Sequence, residues 1–200
     1  MNTQDIGSGQ DHLSITKGRS IFEKTIEKTE WFIDKVIFPE KLRLQAEHFL
    51  QSGGKLDDAL RRFQGKHLGR TSILGNLLLN EGINALWTLA AGGSETAYNN
   101  ANAELVVGDS SSAEAATQTD LQAATNKLFK AMDTGYPTYG TAQKITFRSS
   151  FAGGDANYAW NEFSVRNGNT ANKNLNRKVS AQGTKTSGQT WQLTLEITLS

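Results

Sequence analysis

The chain has 200 residues, 37% of them hydrophobic and 20% charged, with 21 Lys/Arg against 20 Asp/Glu and a net charge of +1. Binders of nucleic acid or anionic membranes draw much of their affinity from a basic excess, so this balance argues against both partners. There is no Cys, which excludes disulfides, thiolate metal sites and thiol nucleophiles. No apolar run is long enough to predict a transmembrane helix, and the polar start MNTQDIGSGQDHLS is not expected to act as a secretory signal.

Composition changes near residue 70. Of the first 70 residues 22 are charged, against 19 of the remaining 130, which are rich in Ser, Thr, Asn, Gly and Ala instead. Two structural styles are therefore expected. The first twenty residues carry no periodic apolar pattern and read as a polar tail held by another chain. From Ser20, Phe22, Ile26, Ile33 and Val36/Ile37 recur at helical steps, with Glu23, Lys24, Glu27 and Lys28 on the other face. Glu23/Glu27 and Lys24/Lys28 are like charges four apart, so this helix needs a packing partner. Pro39 closes it. A second helix is predicted over Glu40–Gln51, stopped by Ser52-Gly53-Gly54, and a third over Lys55–Phe63, before a loop over Gln64–Arg70. Ser72 is placed to cap a long apolar helix reaching about Ala90.

Beyond residue 100 the period changes to two. Trp191, Leu193, Leu195, Ile197 and Leu199 alternate with Gln192, Thr194, Glu196 and Thr198, which predicts a half-buried strand. Ile145 and Phe147 mark another, and Tyr158–Arg166 a third with apolar residues on both faces. Shorter candidates are Ala103–Val107, Lys127–Met132 and Leu175–Ser180. Turn formers separate them, as in Gly153-Gly154-Asp155 and Asn167-Gly168-Asn169. The expected class is α+β: an extended tail and helical anchoring arm over 1–70, an apolar connecting helix over 71–92, and an antiparallel β-sandwich or small barrel over 93–200.

Little in the chain reads as chemistry. The three His are not paired at ligand spacing, and Asp109, Asp155 and Asn157 lack the ordered spacing of a calcium loop, so neither metal nor cofactor is expected. Gly65-Lys66-His67 lacks the Ser or Thr and the upstream Gly of a phosphate loop. Glu104, Asp155, Glu162 and Glu196 are the carboxylates a hydrolase could draw on. Solvent explains Glu196, a turn explains Asp155, and Glu162, beside bulky residues, is better placed to receive loop N–H groups than to catalyse. No catalytic residues and no enzymatic activity are expected. Tyr136, Tyr139 and Trp160 could form an aromatic platform for a sugar ring, with the tyrosines flanking Pro137 the more exposed.

The runs Asn99-Asn100-Ala101-Asn102-Ala103, Val107-Gly108-Asp109 and Ala115-Ala116-Thr117-Gln118-Thr119-Asp120-Leu121 resemble a pattern of structural proteins of tailed-bacteriophage virions. So do Phe151-Ala152-Gly153-Gly154-Asp155-Ala156-Asn157-Tyr158-Ala159-Trp160-Asn161-Glu162, Leu175-Asn176-Arg177-Lys178 and Gly183-Thr184-Lys185-Thr186. The likeness covers roughly residues 80–200 and leaves 1–70 unplaced. It implies a non-enzymatic virion protein, assembled in the host cytoplasm: a capsid decoration or cement protein, or else a tail, baseplate or fibre part, or a carbohydrate-binding attachment domain. The partners implied are the major capsid protein or other virion proteins, and further copies of the chain in a homo-oligomer. Within that reading Asp120, Asp155 and Glu162 fix long loops, while Phe22, Trp31, Phe32 and Phe49 supply apolar anchors to the partner.

Overall fold

The computed structural model describes residues 27–168 and 170–199. Its elements run β1 (Glu27–Ile37), α1 (Glu40–Gln51), α2 (Leu56–Arg62), β2 (Lys66–Leu74), β3 (Leu77–Leu78) and α3 (Asn80–Ala90). They continue as β4 (Glu104–Gly108), β5 (Lys127–Ala131), β6 (Thr138–Thr141), β7 (Lys144–Phe151), β8 (Glu162–Arg166), β9 (Asn176–Val179) and β10 (Gln189–Leu199). Two antiparallel five-stranded sheets result, ordered β2-β1-β10-β7-β6 and β3-β9-β8-β4-β5. With three helices beside them, the fold is α+β and mostly β.

The first sheet is built on two eleven-residue strands. β1 and β10 pair along their whole length, from Glu27 opposite Leu199 to Ile37 opposite Gln189. The register sets Trp31 against Leu195 and Ile33 against Leu193, and all four are buried. Strand side chains alternate between faces. Trp31 and Ile33 therefore enter the main core, while Val36 joins a second one. There Val36 meets Ala46, Leu50, Ala59 and Phe63, so α1 and α2 cover one end of the outer face of this sheet.

The main core lies between the sheets. Phe147, Phe151, Trp191, Leu193 and Leu195 of the first face Leu105, Val107, Phe163 and Val165 of the second. Trp31 packs 5.9 Å from Phe163 across the gap, ring centre to ring centre. Trp160 lies 4.8 Å from both Phe151 and Trp191. Edge-to-face pairs of this kind add about 0.5–1.5 kcal/mol each beyond the area they bury. α3 rides close on the second sheet. A Cβ added at Gly82 would stand 2.4 Å from Leu175 Cα, so only glycine permits that approach.

Three expectations are corrected. The helical arm predicted from Ser20 is a strand over residues 27–37, and it lies between β2 and β10 inside a sheet. Its β-branched and aromatic residues prefer the pleated surface, and β10 offers a dry partner face that an isolated helix lacks. Phe22 and Ile26 lie outside the described residues. The predicted loop over 64–70 and the first turns of the helix from Ser72 are β2 and β3 instead, and the helix begins at Asn80. The boundary near residue 70 falls inside β2, so it marks a change of composition only. The helices over 40–51 and 56–62, and strands β4, β5, β7, β9 and β10, stand where the periodicities put them.

Candidate functional site

Side chains at 163 and 165 point into the core, so Glu162 and Ser164 must point to the outer face of the second sheet. Both are nonetheless fully buried, because the connection between β4 and β5 folds over them. Glu162 holds that connection. Its Oε1 accepts the Ala123 N–H at 2.7 Å and its Oε2 accepts the Gln122 N–H at 2.9 Å. Arg177 neutralises the carboxylate through Nε at 2.9 Å and Nη2 at 2.7 Å. The same guanidinium donates to the Ser112 and Ala113 carbonyls and to Gln118 Oε1. One buried ion pair thus fixes both ends of a long surface crossing. Asp120 closes it locally, accepting the Leu121 N–H and pairing with Lys127.

A second lock sits at the turn after β5. Asp133 accepts the Ser150 N–H and hydroxyl, both at 2.9 Å, and pairs with Arg148 at 3.0 Å. Burial pushes its carboxyl above the usual range, and Arg148 opposes that shift. The Arg148 guanidinium also lies 4.1 Å from the Tyr136 ring centre. Asn100 donates to the Asp133 and Tyr136 carbonyls.

A third lock joins α1 to the loop after β7. Glu47 Oε1 accepts the Gly153 N–H at 2.7 Å and the Thr190 hydroxyl at 3.0 Å. Asp155 Oδ2 accepts the Ala152 N–H at 2.9 Å and pairs with Lys130 at 2.6 Å. Lys185, 0% exposed, donates to the Ala152 carbonyl at 2.7 Å and to Asn157 Oδ1 at 3.0 Å. Burial lowers its ammonium to about 8, with the charges of Asp155 and Glu47 opposing that shift. Of the buried carboxylates Asp34, Glu47, Asp133 and Glu162, Glu47 and Glu162 accept backbone N–H groups from distant loops and Asp133 accepts one from β7; Asp34 pairs with His67 and Arg70. Arg177 and Lys185 are the partners that the sequence reading missed. Their spacing from Glu162 and Asn157 carries no motif, so topology alone brings them together.

The predicted sugar platform is divided. Trp160 is 0% exposed, with its Nε1 donating to the Ala156 carbonyl, so it is removed from that platform. Tyr139 stands 74% exposed on β6, and Tyr136 is partly buried. Together with Asn99, Asn100, Gly135 and Pro137 they line an open cleft of about 460 Å³. An apolar groove of about 530 Å³ opens between the sheet ends, lined among others by Leu78, Leu86, Ile145, Phe147, Ile197 and Leu199.

The anchors predicted for a partner are mostly taken by the fold. Trp31 belongs to the main core, half-buried Phe49 meets Phe63 edge to face, and half-buried Phe32 lies under Arg70. Phe22 lies outside the described residues. Among the described residues, no group of three His, Asp or Glu side chains is arranged to hold a metal ion, and no helix is long and apolar enough to cross a membrane. No family model, curated protein or solved structure matches the chain.

Proposed function

We propose that the chain is a non-enzymatic structural protein of a tailed-bacteriophage virion, a decoration or cement protein of the capsid. One observation carries this reading: the buried carboxylates Glu47 and Glu162 are committed to holding the backbone of remote loops, and Asp133 to tying the turn after β5 to the backbone of β7. A hydrolase would need two such groups facing a cleft and free to exchange protons. Here they stiffen connections that join two sheets, read as a β-sandwich, and stiffness suits a part that stays folded outside a cell. The resemblance of residues 80–200 to virion proteins supports the same reading. The partners are the major capsid protein or other virion proteins, with further copies of the chain in a symmetric assembly. Of the four proposed anchors, Trp31 is buried in the main core and Phe32 and Phe49 are half-buried, while Phe22 lies outside the described residues.

The test is to mix the purified protein with particles that lack it, sediment them, and count bound copies. Many copies spread over each particle, with greater resistance to heat or low salt, are expected of a cement protein. A few copies confined to one end would place it in the tail or baseplate. No binding at all would overturn the virion reading.

The exposed Tyr139 beside Tyr136 and the Asn99 and Asn100 amides favours a second reading, a carbohydrate-binding attachment domain. Aromatic faces stack on the apolar face of a sugar, and amides bond its hydroxyls. A glycan screen followed by tyrosine and tryptophan fluorescence decides it: binding that is lost in Tyr139→Ala is expected.

A further inference from the structure

The loops after β7 and before β10 meet at a lysine and an asparagine. Lys185 is fully buried, yet among the described residues no carboxylate bonds its amine, which donates to the Ala152 carbonyl and Asn157 Oδ1. The Asn157 amide is held in one orientation, because its Nδ2 donates to the Gly153 carbonyl at 2.9 Å. Its carbonyl oxygen therefore faces the amine at 3.0 Å. Cγ lies one carbonyl bond beyond, so no more than about 4.2 Å from Nζ, and a small approach of the two loops brings the pair to the about 3–3.5 Å of a near-attack geometry. Asn157 itself reaches solvent, so a departing group has a way out.

We propose that Lys185 and Asn157 are the two ends of a self-formed isopeptide cross-link, a covalent modification of this chain. The neutral amine of Lys185 attacks Asn157 Cγ. The Nζ–Cγ bond forms and the Cγ–Nδ2 bond breaks. One proton passes from Nζ to the departing nitrogen, which leaves as ammonia. No oxidation occurs and no co-reactant is consumed.

Three features favour this step. Burial holds the amine near pH 8, so a useful fraction is neutral and nucleophilic close to neutrality. The Ala152 carbonyl accepts a second Nζ–H at 2.7 Å and keeps the amine beside the Asn157 amide. The surrounding charges, Asp155 and Glu47 against Lys130 and Arg43, hold the loops around the pair in place. The product would join the loop at 157 to the loop at 185, beside the start of β10, and remove chain entropy from the unfolded state in the manner of a disulfide. A protein without Cys has few other ways to gain a covalent tie.

Intact mass of the full chain, folded and held near pH 8 until the mass is constant, is the test. The expected mass is lower than the sequence mass by one ammonia, about 17 Da. A tryptic digest should give a branched peptide joining the segments that carry Asn157 and Lys185, with no cleavage after Lys185. Lys185→Arg keeps the charge and donors but cannot form the bond, and should show the full mass. The digest of the unaltered chain decides by itself if that variant fails to fold. Full mass with cleavage after Lys185 would overturn the proposal. So would a loss that persists in Lys185→Arg, which would point to succinimide formation at Asn167-Gly168 instead.

Discussion

Arg177 and Glu162 meet with neither side chain exposed, and between them they reach five backbone groups or side chains of the segment between residues 112 and 123. A buried ion pair is weak support for stability in itself, because desolvation offsets most of its attraction. Removing one partner is another matter. It strands a charge and, in this protein, also the Gln122 and Ala123 N–H groups or the Ser112 and Ala113 carbonyls. Glu162→Ala and Arg177→Met should each cost about 3–5 kcal/mol in urea unfolding at neutral pH. The doubly apolar variant Glu162→Leu with Arg177→Met should cost clearly less than the two together. Limited proteolysis should move to residues 109–126 in the single variants. Single losses under about 1 kcal/mol would mean that the pair does not hold the crossing.

Two phenols, that of Tyr98 buried and that of Tyr158 half-buried, set an alkaline limit. Tyr98 donates to the Lys173 carbonyl at 2.9 Å, and Tyr158 to the Val107 carbonyl at 3.2 Å. Burial raises both phenols well above the usual range, and Glu81 and Glu95 near Tyr98, with Asp109 and Glu162 near Tyr158, push further in the same direction. The unfolded phenols ionise near pH 10, while the folded ones keep their protons. Between those values the folded state binds more protons, so stability falls as pH rises. Their contribution is whole below about pH 10 and is lost above it. The urea midpoint should therefore fall as pH rises beyond 10, and the fall should be shallower in Tyr98→Phe with Tyr158→Phe. Equal slopes in the two proteins would remove the phenols as its cause.

β10 was legible because each of its apolar side chains falls on one parity, and the pattern has no helical reading. β1 was not. Its charges interleave with Trp31, Phe32, Ile33, Val36 and Ile37 so that strand and helix periods both fit, and one end of its second face, at Val36, is dry only because α1 and α2 cover it. That covering is a long-range fact. It also changes what a truncation does. A chain beginning at residue 38 loses Trp31 and Ile33 from the core and parts β2 from β10. Loss of a buried Trp and a buried Ile alone costs about 5–10 kcal/mol, comparable to the whole stability of a domain. Such a chain should show no cooperative thermal transition by circular dichroism, whereas one beginning at residue 27 keeps every described strand and should melt cooperatively. Cooperative melting of the shorter chain would show that β1 is an appendage after all.

Trp160 and Tyr139 separate what residue type alone could say about the candidate site from what it could not. Both are aromatic residues near turns, and both read as platform candidates. Trp160 follows a Gly-rich turn but is drawn inward, where Phe151, Phe163 and Trp191 enclose it. Tyr139 lies on β6, at the edge of its sheet, with no neighbouring strand beyond it among the described residues. Glu162 was readable as an acid receiving loop N–H groups, because bulky neighbours shield it; that the donors are Gln122 and Ala123 depends on topology. The contrast is measurable. Trp160→Ala should cost about 3–5 kcal/mol, through lost burial and the cavity left behind. Tyr139→Ala should change stability by less than about 0.5 kcal/mol, as for an exposed residue away from caps and strained backbone. The same two variants sort the functional readings. If Tyr139→Ala also leaves glycan binding and particle binding intact, its exposed ring is ordinary surface. If it abolishes glycan binding while unfolding is unchanged, the cleft beside Pro137 is a recognition site.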